Sequence, residues 1–269
     1  MCLARFRTLG VSEPEFETEG LRHLTVSSPA LRRRGDITLY APLTDGPLPL
    51  VILLHGVYGS HWMWAQVAGA HRILQALIDA GSVMPMALAM PSDGLLGDGS
   101  GYLPREGEDA ETWIWSEVPE AVGTIDPRIP ADGRVCVAGL SMGGFGALRL
   151  AGNHPEAFVA AAGMSSITDL DQMPIFTTDP QPVVAHDRHS IVAALRSAGD
   201  RLPALWIDCG RDDFLLDHNR ALHDQLTAAG IQHLYEEDDG GHEWAYWAKR
   251  LPAVLRFFDS ALRTEEGAG

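Results

Sequence analysis

Ser141 has the sequence setting of a nucleophile. It lies between Gly139 and Gly143 in a G-x-S-x-G pattern, where the apolar run Val135–Ala138 gives way to small residues at helical spacing from Met142 onward. This pattern predicts a strand-to-helix turn so tight that a Cβ atom on either flanking residue would collide with backbone. The hydroxyl would then meet the positive end of a helix, where negative charge is stabilised. The alternative is a glycine-rich turn whose serine only caps the helix.

A serine hydroxyl becomes a strong nucleophile only when a base takes its proton and a third group orients that base. His242 is the only histidine after the last predicted strand, and glycines before it let the loop turn towards Ser141. Asp212 and Asp213 directly follow the predicted strand region that begins at Ala204. The order serine, acid, histidine is therefore met. Spacing alone leaves open which aspartate is the acid, since the other would cap the following helix.

These three groups need a sheet that brings strand ends to one edge. Two alternating segments predict antiparallel strands, Leu21–Ser28 and Asp36–Ala41. Apolar runs predict buried parallel strands at Leu50–Leu54, Met84–Met90, Phe158–Met164, Ala204–Ile207 and Ile231–Tyr235. Helices are predicted at Ala65–Ala80, Trp113–Ile125, Ile191–Ala198, Asn219–Ala229 and Trp247–Leu262. The alternation predicts an α/β fold: a mostly parallel, doubly wound sheet with helices on both faces, in a single domain over residues 1–269. Residues 165–185 lack a period and are predicted to form a small lid.

Composition limits the partners. The 269 residues carry a formal charge of −16, which disfavours nucleic acid and anionic membranes as partners. We find no signal peptide and no apolar stretch that would cross a bilayer, so we predict a cytoplasmic protein, a monomer or homodimer. Cys2, Cys136 and Cys209 read as core residues and not as a disulfide framework. His186 and His189 have no further ligand at metal spacing, so we predict a surface loop, with no metal and no cofactor.

Four motifs together carry a family resemblance, and they are spread over most of the chain. They are Leu54-His55-Gly56, Gly139-Leu140-Ser141-Met142-Gly143-Gly144, Gly210-Arg211-Asp212-Asp213-Phe214 and Gly241-His242-Glu243-Trp244. From about Asp36 to about Phe258 the chain resembles the esterase D and tributyrin-esterase branch of the α/β-hydrolases. Carbohydrate and feruloyl esterases and mycolyl transferases are more distant relatives. The resemblance implies an α/β-hydrolase fold with Ser141 as nucleophile, His242 as general base and Asp213, which precedes a phenylalanine, as acid.

The resemblance also implies an oxyanion hole made by the backbone N–H groups of Val57 and Met142. Such donors each contribute about 3 kcal/mol of transition-state stabilisation. His55 is expected to orient the loop that carries Val57 and not to act as a base. Aromatic residues usually belong to the core, but Trp62 and Trp244 stand next to these motifs, and we hypothesise that they line the substrate pocket with Gly56.

The expected activity is that of a serine carboxylesterase, which cleaves short-chain acyl esters through an acyl-enzyme. A small-molecule ester is the only partner this requires. Because residues 165–185 form only a short segment, the pocket is expected to be shallow. Two alternatives stay open: a carbohydrate, feruloyl or acetyl esterase or acyltransferase that uses the same triad, and a non-catalytic binding module of the same fold.

Overall fold

A mixed sheet of nine strands forms the framework of the computed structural model, which describes residues 6–95, 97–131, 133–175, 177 and 189–266. Its strands are β1 (Leu9–Val11), β2 (Leu21–Ser28), β3 (Arg33–Tyr40), β4 (Leu50–Leu54), β5 (Ala87–Pro91), β8 (Val135–Leu140), β9 (Ala160–Met164), β10 (Ala204–Gly210) and β11 (Leu234–Asp238), with β6 (Pro104–Arg105) and β7 (Glu108–Asp109) pairing as a separate hairpin. The order in the sheet is β1-β2-β3-β5-β4-β8-β9-β10-β11. Antiparallel pairing joins β1 to β2, β2 to β3 and β3 to β5. The other six-strand part of the sheet, in the spatial order β5-β4-β8-β9-β10-β11, is parallel throughout.

Helices cover both faces of this sheet. They are α1 (Met63–Gln66), α2 (Ala70–Asp79), α3 (Ala110–Thr112), α4 (Val118–Ile125), α5 (Met142–Asn153), α6 (Ile191–Ala198), α7 (Leu216–Ala228) and α8 (Trp244–Glu266). One apolar core joins the sheet to α3 through α7, and a second joins it to α1, α2 and α8. The predicted doubly wound α/β fold is therefore confirmed.

Strand β4 shows why the central strands read as unbroken apolar runs. All five of its residues are buried, with Leu50, Ile52 and Leu54 in the first core and Val51 and Leu53 in the second. Because neighbouring residues of a strand point to opposite faces, a strand covered on both sides has no solvent-facing position left for a polar residue.

Several predicted boundaries are wrong in instructive ways. The helix predicted over Ala65–Ala80 is two helices, because Gly69 adopts a φ of +67° between α1 and α2. The last strand begins at Leu234 and not at Ile231, since its backbone pairs with β10 from Trp206 onward. The strand contains Glu236, Glu237 and Asp238, so its second half gives no apolar signal.

Other differences come from short or irregular elements. Strand β1 has only three residues and is not among the predicted strands, and the β6–β7 hairpin lies between Met90 and Trp113, where no strand or helix was predicted. The helix predicted from Trp113 begins as a π-helical segment, Trp113–Glu117. In the predicted lid, residues 170–175 form a 3₁₀ helix, while residues 178–185 lie outside the described residues.

Candidate active site

The turn that carries Ser141 is as tight as its glycines predict. A Cβ atom added to Gly139 would lie 2.2 Å from the backbone of Gly143, and one added to Gly143 would lie 2.4 Å from the Leu54 carbonyl oxygen. Ser141 itself has a φ of +54°, a conformation that costs a non-glycine residue about 1–3 kcal/mol. Its N–H donates to the Met164 carbonyl at 2.9 Å, which ties this strained turn to the end of β9.

The three side chains that the family resemblance implies as a triad lie in hydrogen-bond contact. Ser141 Oγ lies 3.1 Å from His242 Nε2, and His242 Nδ1 lies 3.0 Å from Asp213 Oδ2 and 3.2 Å from Asp213 Oδ1. Asp212 is exposed, and its N–H donates to the Gly240 carbonyl at 3.0 Å. Of the two candidate acids, it is Asp213 that contacts the histidine.

The Asp213 carboxylate is buried and firmly held. Its Oδ1 atom accepts a hydrogen bond from the Leu215 N–H at 2.8 Å, and its side chain has no solvent exposure. Burial alone would raise the pKa of Asp213, but the hydrogen bond and charge of His242, together with the Leu215 N–H, outweigh it and lower that pKa below its usual range. At neutral pH the carboxylate is therefore ionised, and it accepts the proton that the imidazole carries on Nδ1.

The two expected oxyanion donors belong to peptide groups whose carbonyls are anchored on the far side. The Gly56 carbonyl accepts from His55 Nδ1 at 2.7 Å and from the Gly59 N–H at 3.2 Å. Because a trans peptide points its N–H opposite to its carbonyl, this fixes the direction of the Val57 N–H. The Ser141 carbonyl accepts from three backbone N–H groups at 3.0 to 3.2 Å, which orients the Met142 N–H in the same way. His55 thus contacts the loop backbone, as expected of an orienting residue.

A segment after β5, residues 97–101, packs against the side chains of the two residues that carry these N–H groups, Val57 and Met142. This segment was missed in the sequence analysis. The Tyr58 N–H donates to the Asp98 carbonyl at 2.8 Å. A Cβ atom built on Gly99 would lie 2.5 Å from Met142 Sδ and 3.2 Å from Val57 Cγ1. Its glycines and charges carry no periodic signal, so the sequence gives no hint of these contacts.

The side chain of Asp93 fixes the backbone of this segment by hydrogen bonds. Its buried carboxylate accepts from the Leu95 N–H at 3.0 Å and from the Ser100 N–H at 2.7 Å. It also lies 3.8 Å from Nε2 of the buried His55 ring. Tyr102, just beyond the segment, donates its hydroxyl to the His55 carbonyl at 3.0 Å. The backbone next to Ser141 is thus supported by buried polar contacts from two sides.

A cavity of about 250 Å³ opens beside Ser141 and His242. It is lined by Gly56, Val57, Tyr58, Gly59, Met63, Leu140, Ser141, His242, Trp244 and Trp247. Gly56 and Trp244, two of the three residues hypothesised to line the substrate pocket, are therefore among the residues that line this cavity. Trp62 is not among the lining residues and is 44% exposed at the start of α1, while its neighbour Met63 faces the cavity instead.

Aromatic rings hold the histidine in place. His242 packs edge-to-face on the buried Trp247, with ring centroids 5.0 Å apart, and lies 4.7 Å from the ring of Phe214. Trp244 in turn packs edge-to-face on both Trp247 and Trp64 at 5.4 Å. Such arrangements limit how far the imidazole can swing away from the serine.

Within the described ranges, no group of three or more His, Cys, Asp or Glu side chains could hold a metal ion. His186 lies outside those ranges. Across the same part of the chain no helix has the length and apolarity to cross a bilayer. Cys136 and Cys209 are both buried, and Cys2 lies outside the described residues.

Comparison with known proteins identifies the family. The family model described as "Putative esterase" matches residues 28–258. The chain belongs to this esterase family. The esterase is a serine ester hydrolase of the α/β-hydrolase fold, as its motifs predicted, and esters of small molecules are its class of substrate.

Three similar proteins illustrate this membership. An acetyl esterase from Caldicellulosiruptor saccharolyticus is 28% identical to this chain over 225 residues. The aligned region covers 76% of this chain and 80% of the acetyl esterase. A solved structure of a ferulic acid esterase superimposes with a TM-score of 0.75 at 25% identity. The superposition covers 94% of this chain and 98% of the ferulic acid esterase. An S-formylglutathione hydrolase from Agrobacterium tumefaciens has the same TM-score, 0.75, at 18% identity, with 96% and 99% covered, and that likeness concerns the fold.

Proposed function

We propose that the protein is a carboxylesterase that cleaves short-chain acyl esters with Ser141, His242 and Asp213 as its catalytic triad. The observation that carries the proposal is the 3.1 Å contact between Ser141 Oγ and His242 Nε2, backed by the 3.0 Å contact between His242 Nδ1 and the Asp213 carboxylate. A general base must reach the proton it removes, and this one does.

In the first half of the reaction, Ser141 Oγ attacks the ester carbonyl carbon and gives its proton to His242 Nε2. The carbonyl oxygen becomes an oxyanion, which the N–H groups of Val57 and Met142 stabilise. Asp213 stabilises the imidazolium without taking its proton. When the intermediate collapses, the bond from carbon to the alcohol oxygen breaks, and His242 returns the proton to the departing alcohol.

In the second half, His242 takes a proton from water, whose oxygen attacks the acyl-enzyme carbonyl. The bond to Ser141 Oγ then breaks, the serine regains the proton from His242, and the carboxylic acid leaves. Every proton passes through one nitrogen, Nε2. The cycle therefore closes with no redox or metal step and needs only the ester and water.

The preference for a short acyl group rests on the cavity. Its volume of about 250 Å³ lies below the roughly 300–1,000 Å³ typical of sites for drug-sized ligands. Apart from the reacting serine and histidine, its lining is apolar or aromatic, which suits an uncharged acyl chain. The acetyl esterase relative supports the same preference. The likeness to a ferulic acid esterase supports a second candidate, hydrolysis of an aromatic acyl ester with the same triad.

The deciding experiment is hydrolysis of p-nitrophenyl esters from acetate to decanoate and of p-nitrophenyl ferulate, by the wild type and by Ser141→Ala. We expect the highest kcat/KM for acetate to butyrate and a loss of at least about 10³-fold in the serine variant. A maximum with the ferulate would favour the second candidate. Unchanged activity of Ser141→Ala would refute the triad, and failure of the wild type to react with a fluorophosphonate would favour a non-catalytic binding module.

A further inference from the structure

Phe214 is an exposed aromatic ring in direct contact with the proposed base. It is 59% exposed although it directly follows the buried Asp213, and its ring centroid lies 4.7 Å from that of His242. Among the described residues that line the cavity of about 250 Å³, Phe214 does not appear. The ring therefore lies outside the cavity lining, exposed to solvent and in contact with the histidine.

The chemistry of the proposed reaction says what must come to this position. His242 Nε2 returns a proton to the oxygen of the departing alcohol, so that oxygen must approach within hydrogen-bond distance of the imidazole. The acyl group extends from the same carbonyl carbon into the cavity. The alcohol must therefore extend from the histidine towards solvent, and Phe214 is the exposed ring that contacts this histidine.

The charges beside this position are acidic. Asp212 and Glu243, which flank the proposed acid and base in the sequence, are both exposed. The nearest arginine in the sequence, Arg211, already donates to Asp239 at 2.6 Å. With a formal charge of −16 on the whole chain, an anionic alcohol would be repelled from the entrance.

We propose that Phe214 is the binding platform for the alcohol half of the ester, and that this alcohol is an uncharged ring with a flat apolar face. An aryl alcohol and a pyranose sugar both present such a face to an aromatic ring. The inference rests on the proposed triad, because it uses the position of the departing oxygen beside His242.

The test compares acetates that differ only in their alcohol: ethyl acetate, benzyl acetate and an acetylated methyl pyranoside. For Phe214→Ala we expect kcat/KM to fall about 3- to 10-fold more for the two ring alcohols than for ethyl acetate, whose own loss reports the contact between Phe214 and His242. Phe214→Tyr keeps the ring and should keep the wild-type values. Phe16→Ala is the matched control, since Phe16 is 76% exposed and lies just before β2, at the sheet edge opposite Ser141.

The substrate arms also separate the two sources of the ring. Loss confined to benzyl acetate points to an aryl alcohol, and loss confined to the pyranoside points to a sugar. O-acetylmandelate, which adds a carboxylate to the benzyl group, should react at least about 10-fold more slowly than benzyl acetate, since like charges repel.

Three results would overturn the inference. An equal loss of kcat/KM on all three acetates would mean that Phe214 only positions His242. No loss of kcat/KM on either ring alcohol would mean that Phe214 is not a binding platform. Equal rates for benzyl acetate and O-acetylmandelate would mean that charge does not select the alcohol. None of these touches the proposed function, which fails only if Ser141→Ala stays active or if the wild type proves inactive and unreactive.

Discussion

Replacing Asp213 by asparagine tests how the proposed acid acts. Asp213 Oδ1 accepts the Leu215 N–H at 2.8 Å, and that donor would hold the oxygen of the new amide in the same place. The amide nitrogen would then occupy the position of Oδ2, 3.0 Å from His242 Nδ1. Since the amide nitrogen only donates, this shorter contact favours the tautomer in which Nδ1 accepts and Nε2 carries the proton, although the amide oxygen stays 3.2 Å from Nδ1. In that tautomer Nε2 cannot take the proton of Ser141 Oγ, which lies 3.1 Å away.

Two terms set the size of the effect. Recovering the productive tautomer either leaves the amide N–H facing the Nδ1 proton or turns the amide over, which gives up the hydrogen bond to Leu215. Either way a buried donor is left unsatisfied, which costs about 1–3 kcal/mol. The imidazolium also loses its anionic partner, an interaction of about 4 kcal/mol at an effective dielectric constant of about 20. The sum corresponds to a loss of about 10⁴-fold in kcat.

The assay is the initial rate of p-nitrophenyl acetate hydrolysis by Asp213→Asn, with Asp212→Asn as the matched control. Asp212 is exposed and bonds through its backbone, so its variant should keep kcat within about 2-fold. Folding of both variants is checked by their unfolding midpoints in urea. If Asp213→Asn kept more than a tenth of the activity, or if Asp212→Asn lost as much, the assignment of the acid would be wrong.

Three further predictions follow from other contacts. Gly99→Ala should lower kcat about 10- to 100-fold with little change in KM, because its Cβ would lie 2.5 Å from Met142 Sδ; steady-state kinetics with p-nitrophenyl acetate measures this. Glu111→Gln should lower the free energy of unfolding by about 3 kcal/mol in urea titrations, because it leaves the buried Arg149 guanidinium without its anion. In the wild type, His154 and this arginine outweigh burial and lower the pKa of Glu111 to about 2, so its contribution is full above about pH 4.5 and is lost as the pH falls towards 2, which urea titrations at several pH values would follow. Trp62→Ala should leave the chain-length profile of p-nitrophenyl esters unchanged, because this side chain lies outside the cavity lining.

The fold could be predicted where a local pattern of apolar residues is clear. Strand β4 is buried on both faces and is apolar throughout, so its limits, Leu50–Leu54, were found as they stand. Strand β11 is half acidic and is defined by its backbone pairing with β10, which no local pattern reveals. The break at Gly69 depends on a left-handed backbone conformation that a helical pattern passes over.

The candidate site could be predicted to a similar extent, for a related reason. The contacts of Ser141, Asp213 and His242 follow from their position at strand ends and from a chemistry that needs specific residue types. The roles of Asp93 and Gly99 depend on a loop whose path is set by contacts with Tyr58 and Met142, which are far away in the sequence. A carboxylate that binds backbone N–H groups inside a loop resembles, in sequence, any surface aspartate.

The strand order explains why the site lies where it does. The chain leaves β4 through α1 and α2 on one face of the sheet and leaves β8 through α5 on the other, so the two adjacent strand ends, Leu54 and Leu140, feed loops that separate. A crevice forms where connections diverge in this way. One wall supplies the Val57 N–H and the other supplies Ser141 and the Met142 N–H, so a shift between these walls would change the geometry of the proposed oxyanion hole directly. The contacts of the 97–101 segment to both Val57 and Met142 span this gap, which is why a single methyl group at Gly99 is expected to lower kcat and not substrate binding.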